Sequence, residues 1–167
     1  MKRISSIVAA ATVAAGVFSA PLASADEGQQ LSVISDLEIT PEISNQNWVI
    51  PGEDANRPEV KKLQATSPAM DGREIPLAVI PAKTEGRPTI YLLNGAGSSE
   101  QNTDWLSNSN VVDFYRDKDV NVVIPQAGAF SFYTDWEQEP NSQYLKGKQK
   151  WETFLTEQLP GYLATRG

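Results

Sequence analysis

Thr89-Ile90-Tyr91-Leu92-Leu93-Asn94-Gly95-Ala96-Gly97-Ser98-Ser99 is the stretch that decides the fold of this chain. Its first five residues are almost uniformly apolar and lack the alternation of a half-exposed strand, the pattern expected of a strand buried on both faces. A glycine-bearing loop follows at the strand's carboxyl end. A second such run, Val120-Asn121-Val122-Val123-Ile124-Pro125, closes in Gln126-Ala127-Gly128. Between the two, Val111, Val112, Phe114 and Tyr115 recur at helical spacing over residues 110–115, with Ser109 or Asn110 available as N-cap. Strand, turn, helix and strand make a βαβ unit, so the two runs should lie parallel, joined by a right-handed crossover.

Upstream, Val60-Lys61-Lys62-Leu63-Gln64-Ala65-Thr66 and Glu74-Ile75-Pro76-Leu77-Ala78-Val79-Ile80-Pro81 read as two strands of a hairpin. The segment joining them, residues 67–73, has a proline early and then Asp71-Gly72, which is turn chemistry. Pro76 cannot donate to a ladder and so suggests an edge position for the second strand. Downstream, Trp151, Phe154, Leu155, Leu159, Tyr162 and Leu163 mark one face of a helix over residues 150–163. Pro160 removes the bond to the Thr156 carbonyl and should kink that helix. The order β-β-β-α-β-α is the opening of an open α/β sheet.

The chain starts Met1-Lys2-Arg3, runs apolar from Ile4 to Ala23 and reaches Ala23-Ser24-Ala25 before Asp26. A short basic start, an apolar stretch and small residues at the cleavage positions make residues 1–25 a secretory signal peptide. No later stretch approaches membrane length, so no stable span is expected after cleavage. Residues 26–57 are polar, with Pro41 and Pro51, and read as an extended leader; residues 58–167 form the domain.

There are 14 basic and 21 acidic residues, a formal charge of −7, and loss of Lys2 and Arg3 with the leader makes the balance more acidic. Such a chain repels phosphate backbones, which argues against nucleic acid as a partner. There is no cysteine, so a hydrophobic core must supply stability without disulfides. There is no histidine either, which excludes His-ligated metals and any Ser-His-Asp device built within this chain.

The loop after Leu93 is the best candidate site, because open α/β sheets bind ligands at strand carboxyl ends. Two glycines let successive amide N–H groups point outward, and such a turn holds an anion or a developing oxyanion. An ordinary tight turn has the same composition. The loop is not a nucleotide fingerprint, since Glu stands at position 100 and no Lys-Ser/Thr follows. No G-x-S-x-G elbow occurs anywhere, so Ser98 and Ser99 are expected to polarise or cap the turn. Asp135, Glu137 and Glu139 read as solvated surface, and the aromatics Trp105, Phe130, Phe132, Tyr133 and Trp136 as packing or as the wall of a sugar or acyl site.

The order of these segments resembles the antigen-85-type mycolyltransferases, in the esterase branch of the α/β-hydrolase fold. The resemblance runs over roughly residues 58–166. It is carried by Val60-Lys61-Lys62-Leu63-Gln64, Ser67-Pro68-Ala69-Met70, Ile90-Tyr91-Leu92-Leu93-Asn94-Gly95, Val122-Val123-Ile124-Pro125 and Ser131-Phe132-Tyr133-Thr134-Asp135-Trp136. Its most specific stretch is Lys150-Trp151-Glu152-Thr153-Phe154-Leu155-Thr156-Glu157-Gln158-Leu159-Pro160. The resemblance implies acyl transfer between trehalose mycolates or other acyl sugars through an acyl-serine, with no cofactor and no metal. It implies that the Ala96 backbone N–H is one oxyanion-hole donor and that Asn94 and Gly97 border the sugar pocket. Better-known members carry Asp and Arg at those two places, so the charged sugar contacts are absent here. It also implies that the nucleophile, its strand and its acid and base partners fall beyond residue 167. The expected fold is therefore a truncated α/β-hydrolase, the N-terminal β-β-β-α-β-α portion. The strand at residues 89–93 would then be a sheet edge, and a separate C-terminal half would be the missing partner. The alternative is a non-catalytic secreted module that binds cell-wall sugars.

Overall fold

The computed structural model describes residues 33–36 and 57–160. The proposed signal peptide and residues 161–167 lie outside the described residues. Within them, five strands form one mixed sheet: β1 (Val33–Asp36), β2 (Lys61–Ser67), β3 (Arg73–Ile80), β4 (Thr89–Tyr91) and β5 (Asn121–Pro125). The spatial order is β1-β2-β3-β5-β4. β1 lies inside the stretch read as leader and pairs antiparallel with β2, Val33 opposite Thr66.

The hairpin forms as its turn residues require. β2 and β3 pair antiparallel from Lys61 opposite Val79 to Ser67 opposite Arg73. A 3-10 turn over Pro68–Met70 joins them and ends in Asp71, at φ 56°, whose N–H returns to the Pro68 carbonyl. Gly72 follows at φ +75°, a conformation that suits glycine.

Pro76 does not mark an edge. β3 lies in the middle of the sheet, with β2 on one side and β5 on the other. In a strand, a residue's N and C=O point the same way, and the Pro76 carbonyl accepts from Gln126 N–H at 2.8 Å. The missing donor therefore faces Gln126, one residue past the last β3–β5 pair, Leu77 opposite Pro125, so it costs a single bond at the very end of the ladder.

β4 and β5 are parallel, Ile90 opposite Val122, as the βαβ reading requires. β5 is buried from Val122 to Pro125. β4 is shorter than expected and is not buried on both faces: Ile90 is 36% exposed and Leu93 40%. The reason is its position. Only β5 flanks it among the described residues, which makes it an edge.

The β4–β5 crossover holds α1 (Trp105–Asn108) and α2 (Val111–Tyr115). Asp104 caps α1, its Oδ1 accepting from the N–H groups of Leu106 and Ser107 at 2.9 and 3.0 Å. Asn110 occupies the N-cap place of α2 but makes no side-chain cap bond. The last helix begins as α3 (Trp151–Thr153) and continues as a π-helical turn over Phe154–Gln158. The irregularity expected at Pro160 is thus taken up just before it, where the Leu159 N–H reaches back to the Phe154 carbonyl.

Alternation along β3 and β5 sends side chains into two cores. Ile75, Leu77, Val79 and Val123 meet Trp151, Phe154 and Leu159 on one face. Ala78, Ile80, Val122 and Ile124 meet Leu106, Val111 and Val112 on the other. The sheet is thereby clamped between the last helix and the crossover, and the β4 and β5 carboxyl ends with their loops are held side by side.

Candidate functional site

The loop leaving β4 closes on itself. Ser98 N–H donates to the Gly95 carbonyl at 2.8 Å, and Gly95 N–H donates to the Thr103 carbonyl at 3.2 Å. Thr103 returns two bonds to the Ser98 carbonyl, from its N–H at 2.9 Å and its hydroxyl at 3.0 Å. Gly97 is buried at the crossing point. A Cβ there would come within 2.5 Å of the Gln101 Cβ and 2.9 Å of the Thr103 Oγ1, so the fold leaves room for glycine alone.

Ser98 has φ 49° and ψ −164°, a region almost reserved for glycine. It is held there by burial and by a polar cluster. Asn94 Nδ2 donates to the Pro125 carbonyl at 2.7 Å and approaches Ser98 Oγ at 3.4 Å. Asn94 Oδ1 accepts from Trp105 N–H at 3.3 Å. Ser99 Oγ donates to Gln126 Oε1 at 2.7 Å, and Gln126 Nε2 donates to the Ile124 carbonyl at 3.1 Å. Asn94, Ser98, Ser99 and Gln126 are all buried. Ser99 therefore ties the loop to the end of β5, while Ser98 is enclosed by Asn94 and Tyr133. Neither serine is an exposed nucleophile, and Ser98 makes no side-chain capping bond to the 3-10 turn Ser99–Gln101.

Ala96 behaves differently. It is exposed, and no acceptor among the described residues takes its N–H. Its carbonyl accepts from Phe130 N–H at 2.7 Å. That bond ties it to the loop leaving β5, where Phe130, Phe132 and Tyr133 stand at φ 60°, 56° and 52°. Buried Ser131 braces this backbone. Its hydroxyl donates to the Gly128 carbonyl at 2.7 Å and accepts from Tyr133 N–H at 3.1 Å, and its carbonyl accepts from Trp136 Nε1 at 2.9 Å. Tyr133 then reaches across, its hydroxyl accepting from Asn94 N–H at 3.3 Å. Burial raises the Tyr133 phenol above its ordinary value and pushes Tyr91 up to about 12, so neither supplies a base near neutral pH.

Beside this loop lies an open cleft of about 470 Å³, lined by Leu93, Asn94, Gly95, Thr103, Asp104, Trp105, Asn108 and Ser109. Trp105 donates from Nε1 to the Leu93 carbonyl at 2.8 Å, and its ring is 41% exposed. Thr103, Asp104 and Asn108 were not evident as site residues in the sequence. The visible signal was Asp104 ahead of Trp105-Leu106, a helix start that turns this segment back over the loop.

The acidic stretch has another use. Lys150 occupies the N-cap place of α3 and cannot accept a hydrogen bond there. Asp135 supplies the acceptor from outside, its Oδ1 taking Thr153 N–H at 3.2 Å and its Oδ2 the Thr153 hydroxyl at 2.6 Å. Glu137 and Glu139 are exposed, as expected of surface. Among the described residues no group of three or more His, Cys, Asp or Glu stands together as a metal site. The site as a whole offers an N–H without an acceptor among the described residues, a strained loop that holds it and an aromatic-walled polar cleft.

A parallel β4–β5 pair with a glycine-bearing loop at its carboxyl end, backed by an antiparallel hairpin, is an arrangement of α/β-hydrolase type. The Esterase family matches residues 67–167, more than half of the chain, and this protein belongs to that family. It is 35% identical over 104 residues to the MPT51/MPB51 antigen of Mycobacterium tuberculosis, covering 62% of this chain and 31% of that protein. It is 36% identical over 106 residues to the "diacylglycerol acyltransferase/mycolyltransferase Ag85B" of Mycobacterium avium, covering 64% of this chain and 32% of that protein. The crystal structure of Mycobacterium tuberculosis MPT51 (FbpC1) superimposes with a TM-score of 0.52 at 34% identity, over 64% of this chain and 36% of that one. The chain thus spans about a third of the length of the relatives it matches.

Proposed function

We propose that this chain supplies the oxyanion and acceptor-sugar side of a secreted serine acyltransferase acting on acyl sugars such as trehalose mycolates, and that it does not turn over alone. The observation that carries the reading is that Ala96, an exposed residue in the loop at the carboxyl end of β4, has an N–H with no acceptor among the described residues. A donor so placed suits an oxyanion formed at an ester carbonyl. Acyl transfer, for which the Ag85B relative is named, needs such a donor. The attacking group and its base have no counterpart here: the chain has no histidine and no G-x-S-x-G. Residues 1–25 would direct export.

Asn94 bears on the acceptor. With its amide engaged inward, it shapes the cleft through the backbone, and the sugar would meet Trp105, Thr103 and Asn108 instead. Gly97 contributes by its lack of a side chain. A sugar face stacked on Trp105, with amide and hydroxyl partners around it, is ordinary carbohydrate chemistry. This cleft also favours the second reading, a non-catalytic sugar-binding module.

One experiment tests both. The full chain is incubated with an activated acyl ester and analysed by mass spectrometry, while Trp105 fluorescence is followed during titration with trehalose. Absence of an acyl-enzyme and of turnover is expected, together with a Trp105 response that the Trp105→Phe variant lacks. A covalent acyl adduct would overturn the claim of inactivity. No response to trehalose would remove the acceptor-sugar role and with it the sugar-binding module.

A further inference from the structure

Glu100 lies in the 3-10 turn Ser99–Gln101, half-buried and four residues past Ala96. Its Oε2 accepts from Ala129 N–H at 2.6 Å, and the next residue, Phe130, donates from its N–H to the Ala96 carbonyl at 2.7 Å. The two bonds are a pair, crossing between the same two loops one residue apart. On its own side Glu100 is joined rigidly to Ala96. Gln101 N–H bonds the carbonyls of Gly97 and Ser98, and both of those residues are buried. The opposite loop holds Phe130, Phe132 and Tyr133 in left-handed backbone, which non-glycine residues keep only when their surroundings over-determine it. No salt bridge engages Glu100 among the described residues. The charged or titratable groups facing it are Arg73 from β3 and Tyr133 from the opposite loop.

We infer that Glu100 is a positioning residue: its carboxylate pins Ala129 so that Phe130 fixes Ala96 in the conformation that leaves its N–H without an acceptor among the described residues. The inference rests on the reading of Ala96 as an oxyanion donor. A hydrogen bond to an ionised acceptor is roughly twice as strong as one to a neutral acceptor. Burial, the largest influence on Glu100, raises its carboxyl above the ordinary carboxylate range, while the Ala129 amide and the Arg73 charge oppose that rise. The pin should therefore weaken over a window that begins above the usual carboxylate range as the pH falls.

The test is amide hydrogen exchange at Phe130 and the amide chemical shift of Ala96, in the full chain and its variants. Glu100→Ala should speed Phe130 exchange by about tenfold or more and move the Ala96 signal. Glu100→Gln keeps an uncharged acceptor. It should give an intermediate effect, and its Ala96 shift should lack the titration seen with Glu100. Val112→Ala destabilises the core on the other side of the sheet and should leave the Ala96 shift in place. Unchanged Phe130 and Ala96 signals in Glu100→Ala, or an Ala96 titration that persists in Glu100→Gln, would overturn the inference. A separate titration with an alkyl phosphonate, a tetrahedral anion, is read at the same Ala96 amide. Its failure to perturb that amide in the unsubstituted chain would reject the donor role of Ala96, while the exchange data alone decide whether Glu100 pins the loop.

Discussion

At the scale of single residues, the loop after β4 is governed by what cannot fit. Gly97 has neighbours that a Cβ would meet at 2.5 and 2.9 Å, one of them the stem of Gln101 in the 3-10 turn. Gly97→Ala should therefore destabilise the protein by about 1–3 kcal/mol, the usual cost of overpacking a tight site, and this is checked by urea unfolding. The same variant should disturb the Ala96 amide, because the turn must open to admit the methyl group. An unfolding midpoint equal to that of the unsubstituted chain would show that the loop relaxes without strain.

At the scale of elements, caps and turns decide which segments hold their shape. α3 starts without a cap of its own, and Asp135 provides one across a gap of 18 positions in the chain. Asp135→Ala removes both bonds to Thr153. The expected loss is about 0.5–2 kcal/mol, the range for helix caps, read as a lower urea midpoint and faster amide exchange at Thr153. Exchange unchanged at Thr153 would mean that Trp151 and Phe154, both fully buried, hold the helix start without help. β3 teaches the opposite lesson about Pro76. A proline that reads as an edge marker sits in the central strand because its missing N–H faces the end of β5. Register, not residue type, settles whether a proline is tolerated.

At the scale of the whole molecule, β4 is the margin of the sheet among the described residues. Leu92 N–H donates to the Val123 carbonyl and the Pro88 carbonyl accepts from Asn121 N–H, so residues 88, 90 and 92 direct their backbone toward β5. Thr89, Tyr91 and Leu93 turn theirs to the open side, where Trp105 takes only the Leu93 carbonyl. An edge of this kind, with Ile90 and Leu93 partly exposed beside it, is a template for another chain. We predict concentration-dependent self-association of the full chain, reduced by Ile90→Lys, as measured by sedimentation velocity. Equal association in both would place the contact elsewhere. The sequence by itself determined the parallel βαβ unit, the hairpin and the place of the loop, because hydrophobic runs and turn residues act locally. Only the tertiary structure decided that Asn94 turns inward, that Asp104 and Asp135 are caps, that Pro76 lies in a central strand and that Glu100 reaches Ala129. Each of these depends on which distant backbone group a side chain meets, and that is set by how the two cores clamp the sheet.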